Sequence, residues 1–174
     1  MKNYLICIDM QNDFVTGALP NEGAKKAVPY IKEHISDFDG VFFTRDTHHS
    51  NYSETHEGKY LPIPHCIENT NGWEIVDELK PFAKITNVVN KPTFGYMMWR
   101  EFFNVVGITI KEDDVITIMG TVNPICPLAN AIILRATYPN NEIVMDFKGC
   151  GFMDESDKDV VKRVLDMQQI KYVE

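Results

Sequence analysis

Val115-Ile116-Thr117-Ile118-Met119-Gly120-Thr121-Val122-Asn123-Pro124-Ile125-Cys126-Pro127-Leu128-Ala129-Asn130-Ala131 reads as a strand, a tight turn and the start of an apolar helix. A β-branched run stops at Gly120, and the chain turns through Asn123-Pro124 before Cys126. Pro127 suits a first helical turn, where its missing donor is not needed. A cysteine at such a helix start meets unpaired N–H groups and the positive end of the helix dipole, both of which favour thiolate. The alternative for Cys126 is a small buried core residue, so the positions of the other polar groups decide between the two.

Outward from this unit, short apolar runs alternate with segments of helical spacing. Strands are predicted over Leu5–Asp9, Gly40–Arg45, Ile85–Asn90, Val115–Met119, Glu142–Asp146 and Ile170–Val173. Helices are predicted over Ala24–Phe38, Trp73–Phe82, Tyr96–Val106, Ile125–Thr137 and Asp154–Met167. This alternation, without repeats or linkers, predicts one α/β domain over residues 1–174, a doubly wound sandwich around a mostly parallel sheet. Between Thr47 and Gly72 lies a long irregular stretch holding four of the five histidines, and loops of that length in compact domains tend to be functional.

Composition narrows the partners. The chain is 44% hydrophobic and 24% charged with net charge −8, which argues against a nucleic-acid groove or an anionic membrane surface. No apolar run reaches the roughly 20 residues of a membrane span. Asp9 interrupts the first apolar run too early for a signal peptide. The four cysteines, Cys7, Cys66, Cys126 and Cys150, are scattered, as expected of reduced thiols in a cytoplasm. Apolar helix surfaces leave room for a homo-oligomer.

In a doubly wound sheet, ligands bind beyond the carboxyl ends of the strands. Asp9, Asp46, Lys91 and Cys126 all fall at or just past the ends of successive strands, on one rim. Asp9, Lys91 and Cys126 make a nucleophilic set in which Asp9 accepts the thiol proton and Lys91 offsets the negative charge. Asp46 and His48, two apart on an extended segment, face the same way and can reach one ion, with His65 returning from the loop. One carboxylate and two imidazoles suit a single divalent Zn, Fe or Mn ion. Glu54, His56 and Glu57 are further candidates, of which Glu57 is preferred; His49 should point away.

These features resemble the isochorismatase-like cysteine hydrolases. Asp9-Met10-Gln11-Asn12-Asp13-Phe14 is similar to that family's DxQxDF signature, and Lys91 and Gly120–Cys126 to its lysine and its G-x-x-T-x-x-C segment. The likeness spans the chain with its motifs in order. Asp46-x-His48 and Pro62-x-Pro64-His65 resemble the nicotinamidase branch, which deamidates nicotinamide and often pyrazinamide. The resemblance implies a six-stranded sheet, the Asp9, Lys91, Cys126 triad, and metal ligation by Asp46, His48 and His65. It implies a cis peptide at Thr121–Val122 that aims the N–H of Val122, with that of Cys126, at an oxyanion. Phe14 matches an aromatic that packs on the pyridine ring. The tryptophan often found before Pro-x-His is absent, so Tyr60 or Leu61 would serve, with Phe94, Tyr96 or Trp99. Asn123, Pro127 and Asn130 stand where threonine, valine and threonine are usual. The alternatives are a related hydrolase acting on another amide, carbamoyl or ureido group, a metal hydrolase without the cysteine, and a silent metal-binding module.

Overall fold

The computed structural model describes residues 1–174. In chain order its strands and α-helices are β1 (Asn3–Ile8), α1 (Asn12–Val15), α2 (Glu22–His34), β2 (Gly40–Asp46), α3 (His56–Tyr60), β3 (Val88–Lys91), α4 (Trp99–Val105), β4 (Val115–Asn123), α5 (Cys126–Thr137), β5 (Glu142–Phe152), α6 (Asp157–Met167) and β6 (Lys171–Val173). All six strands are parallel, in the order β3-β2-β1-β4-β5-β6. Central strands of such a sheet are covered on both faces, which is why β1 is an unbroken apolar run rather than an alternating one. Tyr4, Ile6 and Ile8 point into a core shared with α4, α5 and α6. Leu5 and Cys7 point into a second core, with Ala24, Ala27, Val28 and Ile31 of α2. No helix is long and apolar enough to cross a membrane.

Strand order reverses between β1 and β4, where the crossovers leave in opposite directions and open a crevice at the strand ends. Asp9 follows β1 and Cys126 follows β4, so both flank that crevice. Gly120 pairs with Ile8 across this seam with φ +132°, and a Cβ there would collide with the Ile8 carbonyl. Only glycine permits that backbone and that approach.

Two expectations need correction. Residues 73–82 do not form a helix; they form turns ending in a 3-10 segment at Lys80–Phe82. Their apolar spacing is real, since Ile75, Val76 and Leu79 are buried. Their backbone, however, bonds to the β1–α1 turn: Asn12 N–H donates to the Glu74 carbonyl (2.9 Å) and Val76 N–H to the Met10 carbonyl (3.0 Å). Strands β4 and β5 also run beyond Met119 and Asp146, through register shifts that carry Gly120 opposite Cys150 and Asn123 opposite Phe152.

Candidate active site

The ends of β1, β2, β3 and β4 converge as their order demands. Asp9 holds φ +51°, a left-handed conformation that a non-glycine residue keeps only when its surroundings impose it. Thr44 supplies much of that constraint. Its carbonyl and hydroxyl oxygens accept from Asp9 N–H (3.2 and 3.1 Å), while its hydroxyl donates to Asp9 Oδ1 (2.6 Å). Asp9 Oδ2 lies 2.6 Å from Lys91 Nζ, and both side chains are fully buried. Lys91 Nζ is in turn 3.6 Å from Cys126 Sγ and 3.7 Å from Asp46 Oδ1.

Burial is the largest influence on the titration of Cys126 and Asp9. It raises Cys126 well above an ordinary thiol despite the neighbouring ammonium, and Asp9 and Asp46 push it the same way. Enclosure therefore works against the preference for thiolate that the helix start confers. Burial likewise raises Asp9, with Lys91 opposing and Asp46 reinforcing, which makes its carboxylate a stronger base than an exposed aspartate. For Lys91, burial works against the charge, but Asp9, Cys126 and Asp46 outweigh it and hold the ammonium above the ordinary lysine range.

The turn before Cys126 contains the expected cis peptide at Thr121–Val122 and a second, unanticipated one at Asn123–Pro124. Cys126 is the first residue of α5, so its N–H belongs to the turn of donors that lack intrahelical partners.

Beside this triad, one ligand atom each from Asp46, His48, Glu57 and His65 lies within 4.8 Å of every other. Glu57, preferred from sequence, is in the cluster; His49 instead faces Glu68 at the surface, and Glu54 and His56 are not in it. The donor set fits a divalent ion, having imidazole nitrogens and carboxylates at one point. Burial and the Asp46 charge raise Glu57. Burial lowers His65, but Asp46 and the Ile63 carbonyl raise it further, so it is held above its usual range. In both, the Asp46 carboxylate pushes the same way, and a cation in the cluster would relieve that crowding of negative charge. Asp46 itself is held below the usual carboxylate range: burial opposes the charge, but hydrogen bonds from His48 and His65 prevail.

Residues without an assigned role in the sequence fix this cluster. Gln11 clamps Asp46 by its backbone, donating to its carbonyl (2.9 Å) and accepting from its N–H (2.7 Å). Asp13 Oδ2 accepts from Cys66 N–H (2.7 Å), directly after His65, and Oδ1 accepts from Ala18 N–H (3.1 Å). Cys66 keeps φ +46°, so this bond holds a backbone that would otherwise relax. Asp13→Asn should weaken Co²⁺ or Zn²⁺ binding about 10- to 100-fold, read by calorimetry. Both residues stand in the quoted Asp9–Phe14 segment, but their partners are distant in sequence, which is why spacing alone gave them no role.

A cavity of about 1000 Å³ opens over the triad, lined among others by Phe14, Tyr60, Leu61, Phe94, Val122 and Cys126. Phe14 sits 5.5 Å from the His65 ring, centroid to centroid. Trp99 is a correction: it is 0% exposed in the core behind α5, stacked on Phe103, and does not line this cavity. The reason is Asn130. Its Oδ1 accepts from Trp99 Nε1 (3.1 Å) and Tyr96 N–H (3.0 Å), and its Nδ2 donates to the carbonyls of Phe94 (3.1 Å) and Cys126 (2.8 Å). Asn130 thus turns the indole inward and ties the Phe94 wall to the carbonyl of Cys126. Truncation strands four partners in a buried place. Asn130→Ala should cost about 3 kcal/mol, lowering Tm by roughly 6–12 °C in thermal unfolding.

Comparison with known proteins agrees with this fold. An isochorismatase domain family model matches residues 3–169. A pyrazinamidase of Pyrococcus horikoshii, solved in complex with zinc, is 25% identical with a TM-score of 0.79, the match covering 100% of this chain and 99% of that one. The nicotinamidase/pyrazinamidase PncA from Bacillus subtilis is 23% identical over 100% of both chains, with a TM-score of 0.80. An isochorismatase-like hydrolase from Alkaliphilus metalliredigens is 18% identical with a TM-score of 0.81, covering 99% of this chain and 94% of that one. Among curated proteins no sequence match is found. Sheet, crevice and motif order together lead to one assignment: the chain belongs to the isochorismatase family.

Proposed function

We propose that this protein is a metal-dependent cysteine amidohydrolase, acting in the cytoplasm, that converts nicotinamide and water to nicotinate and ammonia. The observation that carries the reading is the buried chain of contacts Asp9–Lys91–Cys126 at the floor of a cavity that Phe14 and the Asp46, His48, Glu57, His65 cluster also line. The similarity to a zinc-containing pyrazinamidase and to a nicotinamidase/pyrazinamidase supports the substrate class.

Asp9 takes the Cys126 proton as sulfur attacks the carboxamide carbon. Lys91 stays charged, so the pair never places an uncompensated anion in a buried site. The N–H groups of Val122 and Cys126 receive the oxyanion; a donor of this kind is typically worth about 2.7–4 kcal/mol. On collapse Asp9 returns the proton to the departing nitrogen, releasing ammonia and leaving a thioester on Cys126. Asp9 then deprotonates the attacking water, and the thiol leaves reprotonated as nicotinate forms. A divalent ion held by Asp46, His48, Glu57 and His65 would supply Lewis acidity and an anchor for the pyridine nitrogen beside Phe14. Purified protein reconstituted with Zn²⁺, Mn²⁺ or Fe²⁺ should release ammonia from nicotinamide and lose that activity on chelation. Failure with every ion on nicotinamide, pyrazinamide and simple amides alike would refute the assignment.

A further inference from the structure

The cavity is much larger than nicotinamide. A pyridine carboxamide has about nine non-hydrogen atoms, whereas cavities of roughly 300–1,000 Å³ enclose drug-sized ligands. The excess volume is apolar: Tyr60 is 81% exposed, Met153 63% and Phe94 48%, and all three line the same cavity with Leu61 and Leu19. Large side chains left in water around one opening mark a binding surface. Its charge is equally specific. The lining contains Asp46 and Glu57 but no lysine or arginine, and the ammonium of Lys91 is buried beneath Asp9. A divalent ion in the cluster would be balanced by those two carboxylates. The remaining polar lining, His49, Asn51, Thr55 and His56 among it, brings no fixed positive charge to pair with a carboxylate or phosphate on a substrate's far end, and desolvating such a group without one is costly.

From volume, exposure and charge together we infer that the site is built for a neutral aromatic amide carrying an apolar extension, which lies along Tyr60, Phe94 and Met153 while the carboxamide meets Cys126. This rests on the amidohydrolase reading for the placement of the carboxamide. It also disfavours ureido and N-carbamoyl acids as substrates, since the lining offers their carboxylate no lysine or arginine.

The test uses metal-loaded Cys126→Ala protein, so that binding is read without turnover. Calorimetry compares nicotinamide with nicotinamides bearing a phenyl or butyl group at ring C5 or C6, and with analogues whose chain ends in a carboxylate. At least one neutral substituted amide should bind about tenfold or more tightly than nicotinamide, and its carboxylate counterpart should lose that gain. Adding Tyr60→Ser and Met153→Ser should shrink the ratio of the two affinities about fivefold. If no neutral substituted amide binds more tightly than nicotinamide, or the carboxylates bind as well, the inference is overturned. Ammonia release by the wild-type protein separately tests the amidohydrolase reading: none from any amide would refute that reading, while the affinity ratio still judges the cavity.

Discussion

Cys126→Ala should lower ammonia release from nicotinamide by about 10⁴-fold or more while metal content and nicotinamide binding persist. The magnitude follows from what the sulfur does: it forms the bond, so no neighbour can substitute, and removal of a nucleophile in comparable hydrolases costs on the order of 10⁴–10⁶. Binding should survive because Phe14 and the Asp46, His48, Glu57, His65 cluster remain in place. The change also removes only one atom from a position at the cavity wall, so the fold should tolerate it. The control is internal: Cys7, Cys66 and Cys150 are all buried and unpaired, and alanine at Cys150 should leave turnover within a few-fold of wild type. Activity retained in the Cys126 variant would instead favour a metal hydrolase with a bystander thiol.

Asp9→Asn should have the second largest effect, in two separable ways. Losing the general base should reduce kcat by about 10²–10⁴-fold. Losing the carboxylate also leaves the Lys91 ammonium buried without its 2.6 Å partner, which should cost about 3–5 kcal/mol of stability. Adding Lys91→Met removes the stranded charge, so the double variant should regain most of the stability and none of the activity. Recovery of both would mean that Asp9 serves the fold alone. In the wild type, burial holds the Asp9 carboxyl above its usual range, and the base must be deprotonated to act. The acid limb of kcat/KM should therefore fall above the pH at which an exposed aspartate titrates, with activity rising as pH increases through it.

Much of this site was legible in the sequence because strand ends are. An apolar run that stops on a charged residue marks both where the strand finishes and what it presents there, which is how Asp9, Asp46, Lys91 and Cys126 could be assigned to one rim. The i, i+2 logic of an extended chain likewise brought Asp46 and His48 together. What spacing could not show were partners supplied by distant backbone. The segment 73–82 has helical spacing, yet Met10 and Asn12 take its hydrogen bonds. Trp99 follows Lys91 as a wall residue would, yet Asn130 turns it into the core. Asn130 reaches Phe94, Tyr96, Trp99 and Cys126, and three of those four lie more than thirty residues away in sequence, so spacing could not reveal the clamp. Nor does the sequence reveal how completely Cys126 is enclosed, and that enclosure opposes the thiolate preference of the helix start.

The proposed mechanism is covalent: the acyl group must pass through Cys126. Acid quenching of the metal-loaded wild-type protein during turnover of nicotinamide, followed by peptide mapping, reads this directly. The mechanism predicts a hydroxylamine-labile nicotinoyl group on the peptide carrying Cys126, formed as ammonia is released and before nicotinate appears. A nicotinoyl group on another residue, or ammonia and nicotinate appearing together with Cys126 unmodified at every quench time, would contradict it.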